Sequence, residues 1–275
     1  MESIGALQAF VLGCVQGLTE YLPISSSGHL VIAQNLFGIK EPELFFDIVL
    51  HLGTLIAIIG YYRADVLGAI KDSVAGLTAL LKGAGWNDVN QSYPGLRLAF
   101  LIIIGSIPTG VIGIGFKDQF LLLFGDVKTV GFMLIITGLF LFLTRFAPSS
   151  GREIARMRWW EAALIGVAQG LAITPGISRS GATICLALFM GIGREAAARY
   201  SFLLSLPAIS GALILNMEPP ETVLPMSTLA LGFFSSLIVG YLCLALLVIL
   251  LKKGKFHLFS IYCFIVGAGT IVYFL

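Results

Sequence analysis

The sequence predicts an all-α polytopic membrane protein, with six full transmembrane helices plus two re-entrant helix–break–helix hairpins in an inverted-topology repeat. Three observations predict it. The 275-residue chain is 57% hydrophobic and only 12% charged, whereas soluble domains carry about 25% charged residues; its mean hydropathy is +0.96. Its apolar runs are far longer than the strands of a membrane barrel, so they are helical. Finally, one polar stretch occurs twice. Gln16-Gly17-Leu18 and Ile24-Ser25-Ser26-Ser27-Gly28 recur 153 residues later as Gln169-Gly170-Leu171 and Ile177-Ser178-Arg179-Ser180-Gly181, with seven identities and no gap. The copies differ in chemistry: Ile173 stands for Glu20, Arg179 for Ser26 and Ala182 for His29.

Residues 3–19 and 29–38 are apolar pieces too short to cross a hydrocarbon core comfortably, which takes about 20 residues. Broken at Pro23–Gly28, they read as the first re-entrant hairpin. Residues 3–19 lack a basic leader and a small-residue cleavage site, so they are expected to be retained rather than removed as a signal peptide. Lys40-Glu41-Pro42-Glu43 marks an interface, and residues 44–62 form a span containing His51. Within 64–82, Val66, Ile70, Val74, Leu77 and Leu81 recur at helical spacing among charges, the pattern of an amphipathic helix lying at the membrane surface. Gly83–Pro94 reads as a polar loop, followed by spans at 97–116 and 128–146. Arg145, Arg152, Arg156 and Arg158 crowd the next connection, and Trp159-Trp160 supply an aromatic belt. Residues 161–193 repeat the opening as a second hairpin broken at Thr174–Gly181. Spans follow at 200–216, 227–251 and 257–275, separated by the acidic loop Glu218–Glu221 and by Lys252, Lys253 and Lys255.

This order places thirteen Lys and Arg residues on one side (63–97, 145–158, 194–199 and 252–255) and three on the other (Lys40, Lys117 and Lys128). The positive-inside rule makes the first side cytoplasmic and puts both termini outside. The chain then reads as a single membrane domain over 1–275, with inverted repeats over approximately 1–147 and 154–275. Broken helices in inverted repeats place a binding site near mid-membrane. The cysteines Cys14, Cys185, Cys243 and Cys263 are scattered singly through apolar blocks, which points to structural thiols rather than a disulfide or zinc site.

Both breaks suit an anion. Ser residues cap helix starts, and free N–H groups with the positive dipole end favour phosphate. Ser25, Ser27, Gly28, Thr174, Ser178, Ser180 and Gly181 are therefore phosphate-binding candidates. Arg179 adds a permanent charge matched to phosphate oxygens; it is costly in a membrane unless paired, so an ion pair with Glu20 that merely joins the hairpins is the competing explanation. Gln16 and Glu20 share a helix face, and a carboxylate facing phosphate suggests a bridging divalent cation or a general base. His29 lies beside Ser26 and Ser27, where it could activate a hydroxyl, attack phosphorus or donate a proton. His51 lies on a span and could face the site, but is read as structural; His257 is read as interfacial.

At these residues the chain resembles the bacterial undecaprenyl-diphosphate phosphatase family of the bacitracin-resistance type. The resemblance rests on Gln16-x-x-x-Glu20, on Pro23-Ile24-Ser25-Ser26-Ser27-Gly28-His29, and on Pro175-Gly176-Ile177-Ser178-Arg179-Ser180-Gly181-Ala182-Thr183. It implies hydrolysis of undecaprenyl diphosphate to undecaprenyl phosphate and phosphate, which recycles the lipid carrier of cell-wall synthesis. It implies resistance to bacitracin and location in the bacterial cytoplasmic (inner) membrane, with the active site facing outward. It makes Glu20, Ser26, His29 and Arg179 the catalytic residues, with Ser26, His29 or water as nucleophile. It also implies a divalent cation, Mg2+ or Ca2+, near Glu20 and Gln16; the family often has Glu where Gln16 stands, so one metal-binding charge is missing. The expected partners are a polyprenyl diphosphate and membrane lipid, with no nucleic acid; a homodimer is compatible. A transporter or flippase for a phosphorylated lipid is the rival class, since inverted repeats with broken helices are transporter features.

Overall fold

The computed structural model describes residues 4–39, 44–148, 150–215 and 224–274. The segments Lys40–Glu43 and Glu218–Glu221, read above as boundaries, lie outside them. Among the described residues the structure is helical: α1 (Ala6–Tyr21), α2 (Ser26–Leu36), α3 (Leu44–Tyr61), α4 (Arg63–Leu81), α5 (Trp86–Ser92), α6 (Pro94–Gly115), α7 (Lys117–Phe124), α8 (Val127–Leu143), α9 (Trp159–Leu171), α10 (Arg179–Phe189), α11 (Arg194–Leu215), α12 (Met226–Lys252) and α13 (Phe259–Tyr273). An isolated bridge joins Arg152 to Ile192, and no strand forms among these residues.

Five helical segments are long and apolar enough to cross a membrane, running over Pro94–Gly115, Val127–Phe146, Arg194–Leu215, Met226–Lys252 and Phe256–Tyr273. A sixth arises if Phe45–Tyr61 and Arg63–Leu81 count together, but they bend by 74° between them. After the bend, α4 exposes Leu67, Ile70, Val74, Leu77 and Leu81 along one stripe. Val66, expected on that stripe, packs instead against the core.

Both broken helices are present, with breaks shifted from the expected positions. α1 ends at Tyr21 because Leu22 precedes a proline and turns extended, with ψ 142°. Ser26 and Arg179 are the first helical residues of α2 and α10, not part of the breaks. The reason is capping: Ser25 Oγ accepts the Gly28 N–H at 3.3 Å, and Ser178 Oγ accepts the Gly181 N–H at 3.0 Å.

α1 and α9, which start 153 residues apart, each lie on a long helix from the other part of the chain. α1 lies mainly on α12, and α9 mainly on α6. Gly13 of α1 and Gly166 of α9 are the crossing points. A Cβ at Gly13 would stand 2.5 Å from the Gly232 carbonyl oxygen; one at Gly166 would stand 1.9 Å from the Gly105 carbonyl oxygen. Such close approach of small residues is how helices associate where the surrounding lipid is itself apolar. The largest core cluster joins Tyr21, Leu101, Ile165, Ile184, Phe202 and Leu244 from six helices with Tyr62 at the α3–α4 bend.

The basic segments meet at one end of the bundle. Arg97 donates to the Met157 carbonyl at 2.7 Å, the Arg152 N–H to the Gly191 carbonyl at 2.9 Å, and Lys252 pairs with Glu195 at 3.0 Å. Arg199 pairs with Asp65. Two of these contacts explain why α11 begins six residues earlier than the expected span: Glu195 and Arg199 are polar but partnered.

Gly166→Ala should lower the thermal midpoint of the detergent-solubilised protein, because overpacking costs about 1–3 kcal/mol. Gly110→Ala, in the same bundle but with open space around its Cβ, should hold or raise it by the helix preference of Ala, up to about 1 kcal/mol. Thermal unfolding of the two variants side by side checks this.

Candidate active site

The two breaks cross each other inside the bundle, and the crossing is built from backbone and hydroxyl groups. Ser25 Oγ accepts the Gly176 N–H at 3.1 Å as well as that of Gly28. Ser180 donates to the Leu22 carbonyl at 3.4 Å and lies 3.3 Å from Ser178 Oγ, just as Ser27 lies 3.3 Å from Ser25 Oγ. A Cβ at Gly28 would press on the Gly176 Cα at 3.1 Å. Ser25, Gly28, Ser178, Ser180 and Gly181 are all buried, so the structure uses these phosphate candidates to cap helices and join the hairpins. Ser27 is half-buried, and Thr174 sits in the turn before the second break with local backbone bonds to Leu171 and Ile177.

Ser25 has φ 68° and ψ 98°, the sole positive φ at a non-glycine among the described residues. Such a backbone costs about 1–3 kcal/mol. It is what carries the serine's hydroxyl across to Gly176 while the next residue starts a helix.

At this crossing lies Glu20, 7% exposed. Its Oε2 accepts the Ser26 hydroxyl at 2.6 Å and the Gln16 amide at 3.0 Å, and its Oε1 pairs with Arg179 NH2. The first hairpin thus brings the acid and a hydroxyl, and the second brings the guanidinium. Arg179 NH1 is buried with no protein partner among the described residues, leaving donors for another anion. The candidates Gln16, Glu20, Ser26 and Arg179 are therefore brought together. The copied glutamine, Gln169, bonds no carboxylate among the described residues; its amide donates weakly to Thr109 Oγ1 and the Leu204 carbonyl, both at 3.3 Å.

His29 bonds a tyrosine hydroxyl and a carbonyl rather than a serine hydroxyl. Its Nδ1 lies 2.8 Å from the Ser25 carbonyl oxygen and its Nε2 lies 2.8 Å from Tyr262 Oη. The Ser26 hydroxyl is bonded to Glu20 instead. His51, read from the sequence as structural, points Nε2 to within 3.8 Å of Glu20 Oε2, while its Nδ1 donates to the Asp47 carbonyl at 2.8 Å. Tyr262 and His51 are the site neighbours that sequence reasoning missed. His51 gave a weak signal as a titratable group within a span; Tyr262 is one aromatic among many.

Gln16 Oε1 is buried and unpartnered among the described residues. With the Glu20 carboxylate it offers hard oxygen donors on one helix face, which fits a divalent cation held by one carboxylate and completed by substrate phosphates. No group of three or more His, Cys, Asp or Glu residues gathers among the described residues, so these residues provide no all-protein cage.

Fold and site define a class: a polytopic helical membrane protein with a buried acid, hydroxyl and guanidinium where two broken helices cross. The chain belongs to the BacA family, whose profile, described as bacitracin resistance protein BacA, matches residues 9–269. It is 48% identical to the undecaprenyl-diphosphatase of Desulforapulum autotrophicum, covering 96% of this chain and 97% of the relative. It is 47% identical to that of Desulfatibacillum aliphaticivorans, covering 97% and 98%, and 42% identical to that of Methanosphaera stadtmanae, covering 97% of each.

Arg179→Met should destabilise the protein by about 3–5 kcal/mol, because it leaves a buried carboxylate without its counter-ion. Arg179→Met combined with Glu20→Gln should cost less than the single change. Thermal unfolding in detergent measures both, together with Glu20→Gln alone; a double loss equal to the sum of the two single losses would mean the pair is not coupled.

Proposed function

We propose that this protein hydrolyses undecaprenyl diphosphate to undecaprenyl phosphate and inorganic phosphate, returning the lipid carrier to cell-wall synthesis and conferring resistance to bacitracin. The observation that carries the proposal is the 2.6 Å hydrogen bond from Ser26 to Glu20 beside Arg179, on a chain that matches undecaprenyl-diphosphatases along nearly its full length.

Phosphoryl transfer needs positioning and charge neutralisation more than elaborate covalent chemistry. Arg179 holds the terminal phosphate through its NH1, which has no partner among the described residues. Ser26 Oγ attacks the terminal phosphorus while its proton passes to Glu20, a transfer that the 2.6 Å hydrogen bond between them supports. The bridging P–O bond breaks, and undecaprenyl phosphate leaves with the electron pair. Water then attacks the phosphoserine. Glu20 returns its proton to Ser26 Oγ as that P–O bond breaks, and both water hydrogens leave on the phosphate. Gln16 and Glu20 would hold a divalent cation, Mg2+ or Ca2+, which when bound neutralises charge on the diphosphate.

Six spans and two re-entrant hairpins in inverted halves, over approximately 1–147 and 154–275, are the arrangement we favour. The recurrence of α1-on-α12 packing as α9-on-α6 packing supports it. The protein belongs in the cytoplasmic membrane, with its basic end inside by the charge rule and the site reached from the outer side. Its exposed apolar faces are where membrane lipid, or a second copy in a homodimer, would sit.

Ser26→Ala and Glu20→Gln should each lower phosphate release from undecaprenyl diphosphate by about 10²–10⁴-fold, the usual range for loss of acid–base assistance; removal of the nucleophile should fall at the upper end or beyond. A phosphate-release assay on purified protein, with and without chelator, checks these values and the cation together. Lipid movement across vesicles without phosphate release would favour a transporter instead.

A further inference from the structure

We propose that Tyr262 is a positioning residue for the reacting hydroxyl, acting through His29, whose imidazole braces the strained backbone at Ser25 instead of exchanging protons with substrate. The inference rests on the phosphatase proposal above and assigns its parts differently from the family resemblance.

The tautomer follows from the partners. The Ser25 carbonyl oxygen, 2.8 Å from His29 Nδ1, can only accept, so Nδ1 carries the hydrogen. In the neutral ring Nε2 is then an acceptor, and the Tyr262 hydroxyl at 2.8 Å donates to it. The two rings also stack, with centroids 5.6 Å apart and planes 14° from parallel. The imidazole is therefore fixed by a bond at each nitrogen and by a ring on its face. The ring comes from α13, more than 230 residues away in sequence.

What the ring holds is the strained residue. The Ser25 carbonyl accepts both the His29 backbone N–H, at 3.1 Å, and the His29 ring N–H. Ser25 has φ 68°, and Ser26 follows it directly. Relaxation of Ser25 would rotate the peptide leading into Ser26 and withdraw its hydroxyl from Glu20. The inverted copy is an internal control. Ser178, equivalent to Ser25, has an ordinary extended backbone with φ −76° and ψ 119°, and the residue equivalent to His29 is Ala182. A histidine stands where the backbone is strained and is missing where it is relaxed. A group needed only to stabilise a helix start would have been as useful in both copies.

The experiment measures kcat and KM for phosphate release by detergent-solubilised wild type, His29→Ala, His29→Asn and Tyr262→Phe. Asparagine has no titratable proton, but its side-chain N–H can reach a carbonyl much as Nδ1–H does. We expect His29→Ala to lose about 10²-fold in kcat, the scale of a misplaced reacting group. His29→Asn should recover about 10-fold of that loss. Tyr262→Phe, which keeps the stacked ring and so keeps the fold, should lower kcat by about 3–10-fold, the worth of one hydrogen bond, with KM unchanged. If His29→Asn is as impaired as His29→Ala, or if Tyr262→Phe matches wild type or changes KM alone, the proposal is overturned. Absence of phosphate release by wild type would instead remove the phosphatase proposal itself, so the two failures are distinct.

Discussion

The structure depends on one ion pair, Glu20 with Arg179, buried between two broken helices that begin 153 residues apart. Neither charge is tolerable alone in a membrane interior. Together they tie the hairpins to each other, and the residual valence of each is what chemistry requires. Glu20 Oε2 accepts the Ser26 hydroxyl, and Arg179 keeps an NH1 without a partner among the described residues. The two sequence-level explanations for Arg179, a tie and a phosphate binder, are thus compatible within one side chain.

Around that pair the two halves divide the work unequally. Their backbones do the same things: each caps a half-helix with a serine and crosses a long helix at a glycine. Their side chains do not. One copy has the acid, the hydroxyl, the histidine and the strained Ser25; the other has the guanidinium and a relaxed Ser178. A shared scaffold supplies precision of placement, because reacting groups held by packed helices lose little geometry. In the proposed mechanism, the substitutions on it supply the acid–base pair and the anion ligand.

Much of this was legible locally. The Gln16–Glu20 face, the capping serines and the duplicated motif are read within a few residues, so the sequence displays them directly. Helix bounds at the breaks were less legible, since caps decide them: Ser26 and Arg179 become first helical residues because the Ser25 and Ser178 hydroxyls accept the N–H groups of Gly28 and Gly181. The short helices α5 and α7 escaped because seven or eight residues carry too little periodicity. His51 and Tyr262 escaped for another reason. Their positions at the site are set by how α3 and α13 pack, and no spacing within either helix encodes a neighbour on α1 or α2. The assignment of the Ser26 proton to Glu20 rather than His29 likewise needed three-dimensional distances.

The central claim is that Ser26, activated by Glu20, takes the phosphoryl group. It is tested most directly by rapid quenching of purified protein during turnover of undecaprenyl diphosphate labelled in its terminal phosphate, followed by peptide mapping of the label. The account predicts covalent phosphate on Ser26, absent from Ser26→Ala. Label on His29, or turnover at the wild-type rate with no labelled residue, would contradict it.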